Sequence, residues 1–468
     1  MRLYNTLSKT IEEFVPIHLD HVGMYACGPT VYDFAHIGHM RKYINDDVLK
    51  RVLTMNGYNV RHIMNITDVG HLSSDADEGE DKLEAGAQKL GKDVFAVARM
   101  FEDDFLKSSK RVNILLPSVV ARATEHIDDQ IALIEILEKK GFTYKTSQAI
   151  YFDTSKFPNY TKLSGQNLED KKTGARSEVI VDSEKKNPAD FVLWFFTVGR
   201  FVNHTMRWSS PWSSSLNPKG EGFPGWHIEC SAMSMKYLGF SIDIHTGGID
   251  HISVHHTNEI AQSEAATDQP FVKYWIHNDF LQVNGEKMSK SKSNFIRVCD
   301  LEAKRYNPLA FRYLTFLTHY RAEMNFTFKS LDAAQTALDR LYALAQSFPE
   351  PSAAGSIEHE RDFHDALNND VNMPKALSIM WEMLRSHHMD ADKAASLLLM
   401  DQVLGLKVKE TIESLKNIPE EINAMVGERN SLRKIKKFAL ADQMRARIEK
   451  KGYILKDEGN HTRIMKKL

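Results

Sequence analysis

The chain lacks most of what would place it outside a cell or in a membrane. It has three cysteines in 468 residues, Cys27, Cys230 and Cys299. That is too few for a disulfide framework, so the expected state is free thiols in a reducing, cytoplasmic compartment, available for metal or catalysis. No apolar run is long enough to cross a bilayer, and no charged-then-apolar stretch opens the sequence. Neither a helical membrane span nor a secretion signal is expected. There is no internal repeat, no low-complexity tract and no C-x-x-C pair. Net charge is only −2, and the composition, 42% apolar and 26% charged, is that of an ordinary globular protein. The length exceeds what one core organises, so roughly two to four domains are expected.

The near-zero charge hides an uneven distribution. Residues 431–468 carry 12 Lys/Arg against 4 Asp/Glu, a net +8 that leaves −10 for the preceding residues. A basic C-terminal module on an acidic body suits an anionic partner such as nucleic acid; on charge alone, a solvated basic tail is nearly as good a reading.

Against these absences, residues 22–57 stand out. An apolar run at 22–26 reads as a buried strand and ends in the turn signal Cys27-Gly28-Pro29-Thr30. His36-Ile37-Gly38-His39 follows, then an amphipathic helix with Ile44, Val48, Val52 and Leu53 at helical spacing and Gly57 at its C-cap. A strand, a Gly-containing loop and a helix N-terminus make a phosphate site, because free backbone N–H groups and the helix dipole point at the anion.

Downstream, residues 59–66 alternate as a second strand ending at Thr67-Asp68. Residues just past a strand's C-terminal end line the ligand crevice of open α/β sheets, which makes Thr67 a candidate. The acidic stretch 75–81 has Glu80 and Gly86 where a calcium loop needs Gly and Glu, and reads as a solvated loop or helix start. Residues 82–141 are helical in period, and 143–210 are turn-rich with short β-like pieces. The sheet returns at 242–245, followed by Thr246-Gly247-Gly248-Ile249-Asp250. A further β run at 271–283 meets the tight-turn pair Asn284-Gly285, then Lys287-Met288-Ser289-Lys290-Ser291. Helices dominate from Pro308 onward, with a Pro-containing linker near 349–356 and a short β-like tail at 453–455.

Two constellations carry chemistry. Adenylate formation needs donors and cations around the α-phosphate and the departing pyrophosphate more than covalent help from protein. His36 and His39 at a helix start, with Lys287 and Lys290 on a Ser-rich loop, supply them. Cys27, Cys230, His255 and Glu259 form a plausible zinc set, since residues 255 and 259 share one helical face. Spacing alone favours the plainer alternative, with Cys230 a small core residue and His255 and His256 at the surface. Cys299 reads as a core residue.

On these residues the chain resembles the cysteinyl-tRNA synthetase family of class I aminoacyl-tRNA synthetases. The resemblance runs from Leu3-Tyr4-Asn5-Thr6 to the C-terminal module, through MYACGPTVYD, HIGH, MNITDV, GWHIECSAM, HTGGID, HHTNEIAQS, GEKMSKS, THYR and FALADQMRARI. It implies an α/β fold: a Rossmann-like parallel-sheet catalytic domain at 1–74 and 221–310 with a connective-peptide insertion at 75–220. A stem-contact and helical-bundle region at 311–420 and a basic anticodon-binding module at 421–468 would follow.

The implied reaction joins L-cysteine and ATP, with magnesium, into cysteinyl-adenylate, then passes cysteine to the 3′ end of tRNA(Cys). One zinc ion per chain would be held by Cys27, Cys230, His255 and Glu259, with the substrate thiolate as a further ligand. Gly28, Thr30, Thr67 and Trp226, beside Cys27, would line the amino-acid pocket. Gly38, Gly247, Gly248, Asp250 and Lys290 would contact ATP, and His36, His39, Lys287 and Lys290 would act on its phosphates. An apolar pocket separates near-isosteres such as cysteine and serine by only ~10²-fold; zinc prefers thiolate, so no editing domain would be needed. By resemblance the protein is a cytoplasmic monomer with no membrane partner.

The chain departs from the family at Lys292-Ser293, where Leu-Gly is usual, at Gly70-His71-Leu72, at Phe195 and in a longer stretch 213–220. Two other readings compete: a cysteine ligase that passes the adenylate to an amino sugar, as in mycothiol synthesis, and an adenylation-dead tRNA-binding paralogue. The basic C-terminal module argues against the first, and the presence of His36, His39, Lys287 and Lys290 against the second.

Overall fold

The computed structural model describes residues 1–69, 72–74, 78–166, 182–288, 294–416, 418–458 and 461–466. Lys290, Lys292-Ser293, Gly70-His71 and the start of the acidic stretch lie outside them. Among the described residues, no helix is long and apolar enough to cross a membrane.

The chain divides into two compact units, Met1–Phe328 with His364–Leu377, and Lys329–Phe363 with Ser378–Leu468. The first is built on five strands, β1 (Val22–Ala26), β2 (Val60–Ile66), β3 (Val119–Arg122), β4 (Ile242–Gly248) and β5 (Val272–Asn278). They form an all-parallel sheet in the order β3-β2-β1-β4-β5. Every residue of β1 is buried, as expected of a central parallel strand covered on both faces, and this is why it reads as one apolar run. In this Rossmann-type order the chain leaves β1 and β4 toward opposite edges, and the crevice beyond their C-terminal ends is the usual ligand site.

Helix α1 (Ile37–Met55) follows β1 and turns Ile44, Val48, Val52 and Leu53 into the core. Asn56 is its C-cap, and Gly57 lies one residue beyond, with φ +86°. That left-handed backbone is what glycine supplies at the end of a helix. Two more helices flank the crevice, α2 (Trp226–Leu238) and α3 (His255–Thr267).

The stretch 75–220 supplies β3 as well as four of the five strands of a separate antiparallel sheet. That sheet runs Trp208–Ser209, Glu221–Pro224, Phe191–Phe196, Ala149–Phe152, Thr143–Lys145. Its apolar face, with Phe152, Phe191, Leu193, Trp194 and Phe196, shares one core with Ile134 and Leu137, with Ile228 and Ala232 of α2, and with Ala261 and Ala265 of α3. The insertion therefore braces the two helices that carry the site. Phe195, one of the departures, is buried and stacks on Phe223 at 5.0 Å.

The run at 271–283 divides. β5 joins the main sheet, while Leu281–Val283 pairs with Glu286–Lys287 and, in parallel, with Met324–Phe326. Asn284 and Gly285 both take positive φ, 54° and 77°, the two-residue turn that matches hairpin twist.

The second unit is helical and ends in the hairpin Tyr453–Glu458 with His461–Lys466. Its last module has its own small core of Ile422, Met425, Val426, Met444, Ile448, Tyr453 and Leu455. Arg429 grips Asp457 through two bonds of 2.6 Å, and this holds the Asp457 carboxyl below the usual carboxylate range.

Candidate active site and metal centre

At the start of α1, His36 is the N-cap with extended backbone (φ −98°, ψ 170°). Its Nδ1 accepts from Gly38 N–H at 3.1 Å and His39 N–H at 3.3 Å, while His36 N–H donates to His39 Nδ1 at 3.3 Å. The two rings stack at 3.6 Å. Because both Nδ1 atoms accept, both Nε2 atoms carry the proton and are left as donors. Burial, then the neighbouring His39, draws the His36 pKa down to about 2. His39 is accessible at the surface, yet its protein surroundings draw its pKa down to about 4, against the pull of Asp250 and Asp33. The donors expected from the sequence are therefore two neutral imidazole N–H groups.

The hairpin lies over this end. Met288 Cε would come within 3.8 Å of a Cβ added at Gly38. Ile37 N–H donates to Ile296 O at 2.9 Å, and Phe295 meets the His36 ring edge-on at 5.3 Å. Lys287 is exposed on the returning strand.

Behind β1, four buried side chains converge. Ligand atoms of Cys27, Cys230, His255 and Glu259 all lie within 4.8 Å of one another. A tetrahedral zinc with bonds of about 2.0–2.3 Å holds its ligands ~3.3–3.8 Å apart, so the set needs little closure. Glu259 Oε1 is buried without a hydrogen bond and faces His255 Nε2 at 3.0 Å. An orphan carboxylate oxygen beside two thiols and an imidazole is what a soft divalent cation satisfies. The spacing argument that made Cys230 a mere core residue and His255 a surface one is overturned by that convergence.

A second set, Cys27 with His245, His256 and Glu259, meets the same distance criterion. Hydrogen bonding describes how the two sets are linked. His245 Nε2 is bound to Glu259 Oε2 at 2.9 Å. His256 Nδ1 meets His277 Nε2 at 2.7 Å, and His277 Nδ1 meets Thr6 Oγ1 at 2.8 Å. His256 Nε2 then lies 3.4 Å from Cys27 Sγ. One consistent arrangement runs from the Thr6 hydroxyl through His277 Nε2–H and His256 Nε2–H to the Cys27 sulfur. His245 and His256 thus back Glu259 and Cys27, and the buried Cys27, Cys230, His255 and Glu259 set is compatible with a metal ion.

The buried groups act strongly on one another's protons. Burial alone would raise the Cys27 thiol, but Cys230 and the imidazoles of His256, His245 and His255 pull it well below its ordinary value. Burial and then Cys27 push Cys230 well above. Burial would lower His255, yet Glu259 and Cys27 outweigh it and lift it to about 10. Burial and nearby imidazoles keep His256 and His277 far down and neutral.

The other residues singled out in the sequence gather around this centre. A Cβ at Gly28 would fall 1.6 Å from Asn65 O, so only glycine lets β1's loop pass β2; Gly28 N–H donates to Asn65 Oδ1 at 2.7 Å. Thr30 bridges Thr67, and Asn65 Nδ2 donates to Thr67 Oγ1 at 3.0 Å. Trp226 opens α2 and stacks on His255 at 4.2 Å. Gly247 and Gly248 close β4; a Cβ there would strike His256 at 2.4 Å and Asp250 at 2.2 Å. Asp250 is exposed just past β4. Lys290 lies outside the described residues. Cys299 is half-buried on the helix Val298–Ala303, not in the core.

The sequence reading gave no role to His245, His256 and His277, nor to Lys42, whose ammonium donates to Cys27 O at 2.6 Å and pairs with Asp46 at 2.8 Å. The His255-His256 doublet was the one usable signal.

The family model for the tRNA synthetases class I (C) catalytic domain matches residues 13–336. The chain is 44% identical to the cysteine–tRNA ligase 1 of Burkholderia lata, covering 98% of this chain and 95% of the relative. It is 43% identical to the cysteine–tRNA ligase of Treponema denticola, covering 99% of each. Among solved structures it resembles Mycobacterium tuberculosis methionyl-tRNA synthetase bound by methionyl-adenylate (TM-score 0.58, 15% identity, 86% of this chain and 95% of that one). It also resembles an Agrobacterium radiobacter LeuRS in a ternary complex with tRNA and LeuAMS (TM-score 0.58, 12% identity, 86% of each). At those identities the likeness speaks to the fold alone.

Proposed function

The chain belongs to the cysteine–tRNA ligase family of class I tRNA synthetases, and from that premise we propose how its residues divide the work of that ATP-dependent ligase. The observation that carries the reading is the buried Cys27, Cys230, His255 and Glu259 set, behind the strand whose loop leads to the His36/His39 helix start.

L-Cysteine enters the pocket beside Cys27, bounded by Gly28, Thr30, Thr67 and Trp226. Zinc, held by Cys27, Cys230, His255 and Glu259, would supply a soft Lewis acid that prefers a thiolate to serine's hydroxyl. ATP, with magnesium, lies along Gly247, Gly248 and Asp250 toward the start of α1. There the Nε2–H groups of His36 and His39, at the positive end of the α1 dipole, take up charge developing on the α-phosphate. The cysteine carboxylate attacks that phosphorus in line and pyrophosphate leaves toward Lys287 and Lys290. The 3′-terminal hydroxyl of tRNA(Cys) then takes the acyl group.

The domain assignment extends this: 1–74 and 221–310 catalytic, 75–220 connective, 311–420 stem-contact and bundle, and 421–468 anticodon-binding, in a cytoplasmic monomer. The amino-sugar alternative is not favoured, since near-full-length relatives are named as tRNA ligases. Charging of tRNA(Cys) with radiolabelled cysteine tests the reading. ATP–pyrophosphate exchange without any charging would overturn it.

A further inference from the structure

Arg41 sits on α1 two residues past His39 and is 1% exposed. Among the described residues, no carboxylate bonds its guanidinium. Instead Nη1 donates to Asp279 O and Phe280 O, each at 2.7 Å, and Nη2 to His319 O at 3.1 Å and Ala322 O at 2.6 Å. Burial, before the pull of Asp279 and Glu323, lowers its pKa to about 10, so it stays charged. Its Nε has no hydrogen-bond partner among the described residues. An apolar side chain in this slot would leave those carbonyls without their guanidinium donor.

The four acceptors have one thing in common. Asp279 and Phe280 lie between β5 and the strand Leu281–Val283, the first arm of the hairpin that returns as Lys287 and Met288. His319 and Ala322 precede Met324–Phe326, that arm's parallel neighbour. The two segments are already stitched by Asp279 N–H to Tyr320 O and Met324 N–H to Phe280 O, each 2.9 Å. Asp370 anchors the second one, accepting from the Tyr320 hydroxyl at 2.6 Å and Arg321 Nε at 2.8 Å. The planar guanidinium thus fixes the root of the lysine hairpin against the helix whose first turn bears His36 and His39.

We propose that Arg41 is a positioning residue for adenylate formation, holding the hairpin root so that Lys287 meets the phosphates at the start of α1. This rests on the functional reading above. A lysine cannot replace the fork, since one ammonium does not span four carbonyls on two segments.

The test uses full-length Arg41→Met and Arg41→Lys in ATP–pyrophosphate exchange, with zinc content measured and active sites titrated. A shift of about 1 Å in reacting groups costs ~10²-fold. Arg41→Met should therefore lose about that much kcat per active site, and Arg41→Lys roughly a tenth as much, with zinc content and the KM for cysteine held within about twofold. If Arg41→Met does not fold, Arg41→Lys decides alone. Wild-type kcat per active site in the folded variants would overturn the proposal, as would a loss confined to the active fraction. Failure of the unaltered chain to exchange would instead bring down the functional reading itself.

Discussion

The two ends of the crevice are built on opposite plans. The metal end is closed: Cys27, Cys230, His255 and Glu259 are all buried, come from three separate stretches of chain, and are held by a further ring of His245, His256, His277 and Thr6. The nucleotide end is open and local. His36 and His39 lie on one helical turn, and the groups that would close over it lie on an exposed hairpin. Selection of an amino acid needs a rigid, preorganised cavity, whereas release of pyrophosphate needs groups that can approach and withdraw. The difference teaches that the two duties should fail independently.

The largest expected effect is at the closed end. Cys230→Ala and Glu259→Ala should each drop zinc content and cysteine activation by more than the ~10–100-fold that losing an outer partner of a ligand costs. Full zinc retention in both would break the contrast outright. Next, His36→Ala or His39→Ala should lower kcat for pyrophosphate exchange by about 10²-fold, the scale of one lost transition-state donor, while zinc content stays unchanged. A parallel loss of zinc would mean that the ends are one structure. Smaller again, His277→Gln removes the middle of the chain that runs from Thr6 to Cys27. It should weaken zinc by ~10-fold and leave the ATP KM alone, as competition with a chelator would measure.

The same contrast governs what could be read in advance. The open end was legible because its signals are local: an apolar strand, Cys27-Gly28-Pro29-Thr30, a helical period and Asn284-Gly285. The closed end was legible only through family resemblance, since no spacing rule unites residues 27, 230, 255 and 259. Their meeting depends on β1 and β4 being neighbours, which is a property of the sheet order. His245 and His277 were missed because a histidine inside a strand carries no periodic signal; each acquires its partner only when β4 and β5 pack beneath α3. β3 was missed because four residues just after Pro117, between two helical runs, do not make a pattern. Lys42 looked like the polar face of α1, and nothing in the helical period says that its ammonium reaches Cys27 O.

The smallest expected effect concerns protons and tests whether the open end works with neutral donors. In the folded chain enclosure by protein holds His39 near about 4, while an imidazole in the unfolded chain titrates near ~6.5. As pH falls below about 6.5, the unfolded chain binds a proton that the folded chain refuses, so this histidine subtracts stability between about 6.5 and 4 and is indifferent above that window. His39→Gln removes the proton uptake and keeps a polar side chain at the position. Denaturation midpoints for the two proteins should therefore run in parallel from about pH 7.5 down to about 6.5, with the unaltered chain falling faster below it. If both fall with the same slope, His39 titrates in the folded state as it does in the unfolded one. The start of α1 would then meet the phosphates with a cation in mildly acid solution, and the contrast between a closed end tuned by charge and an open end kept neutral would not hold.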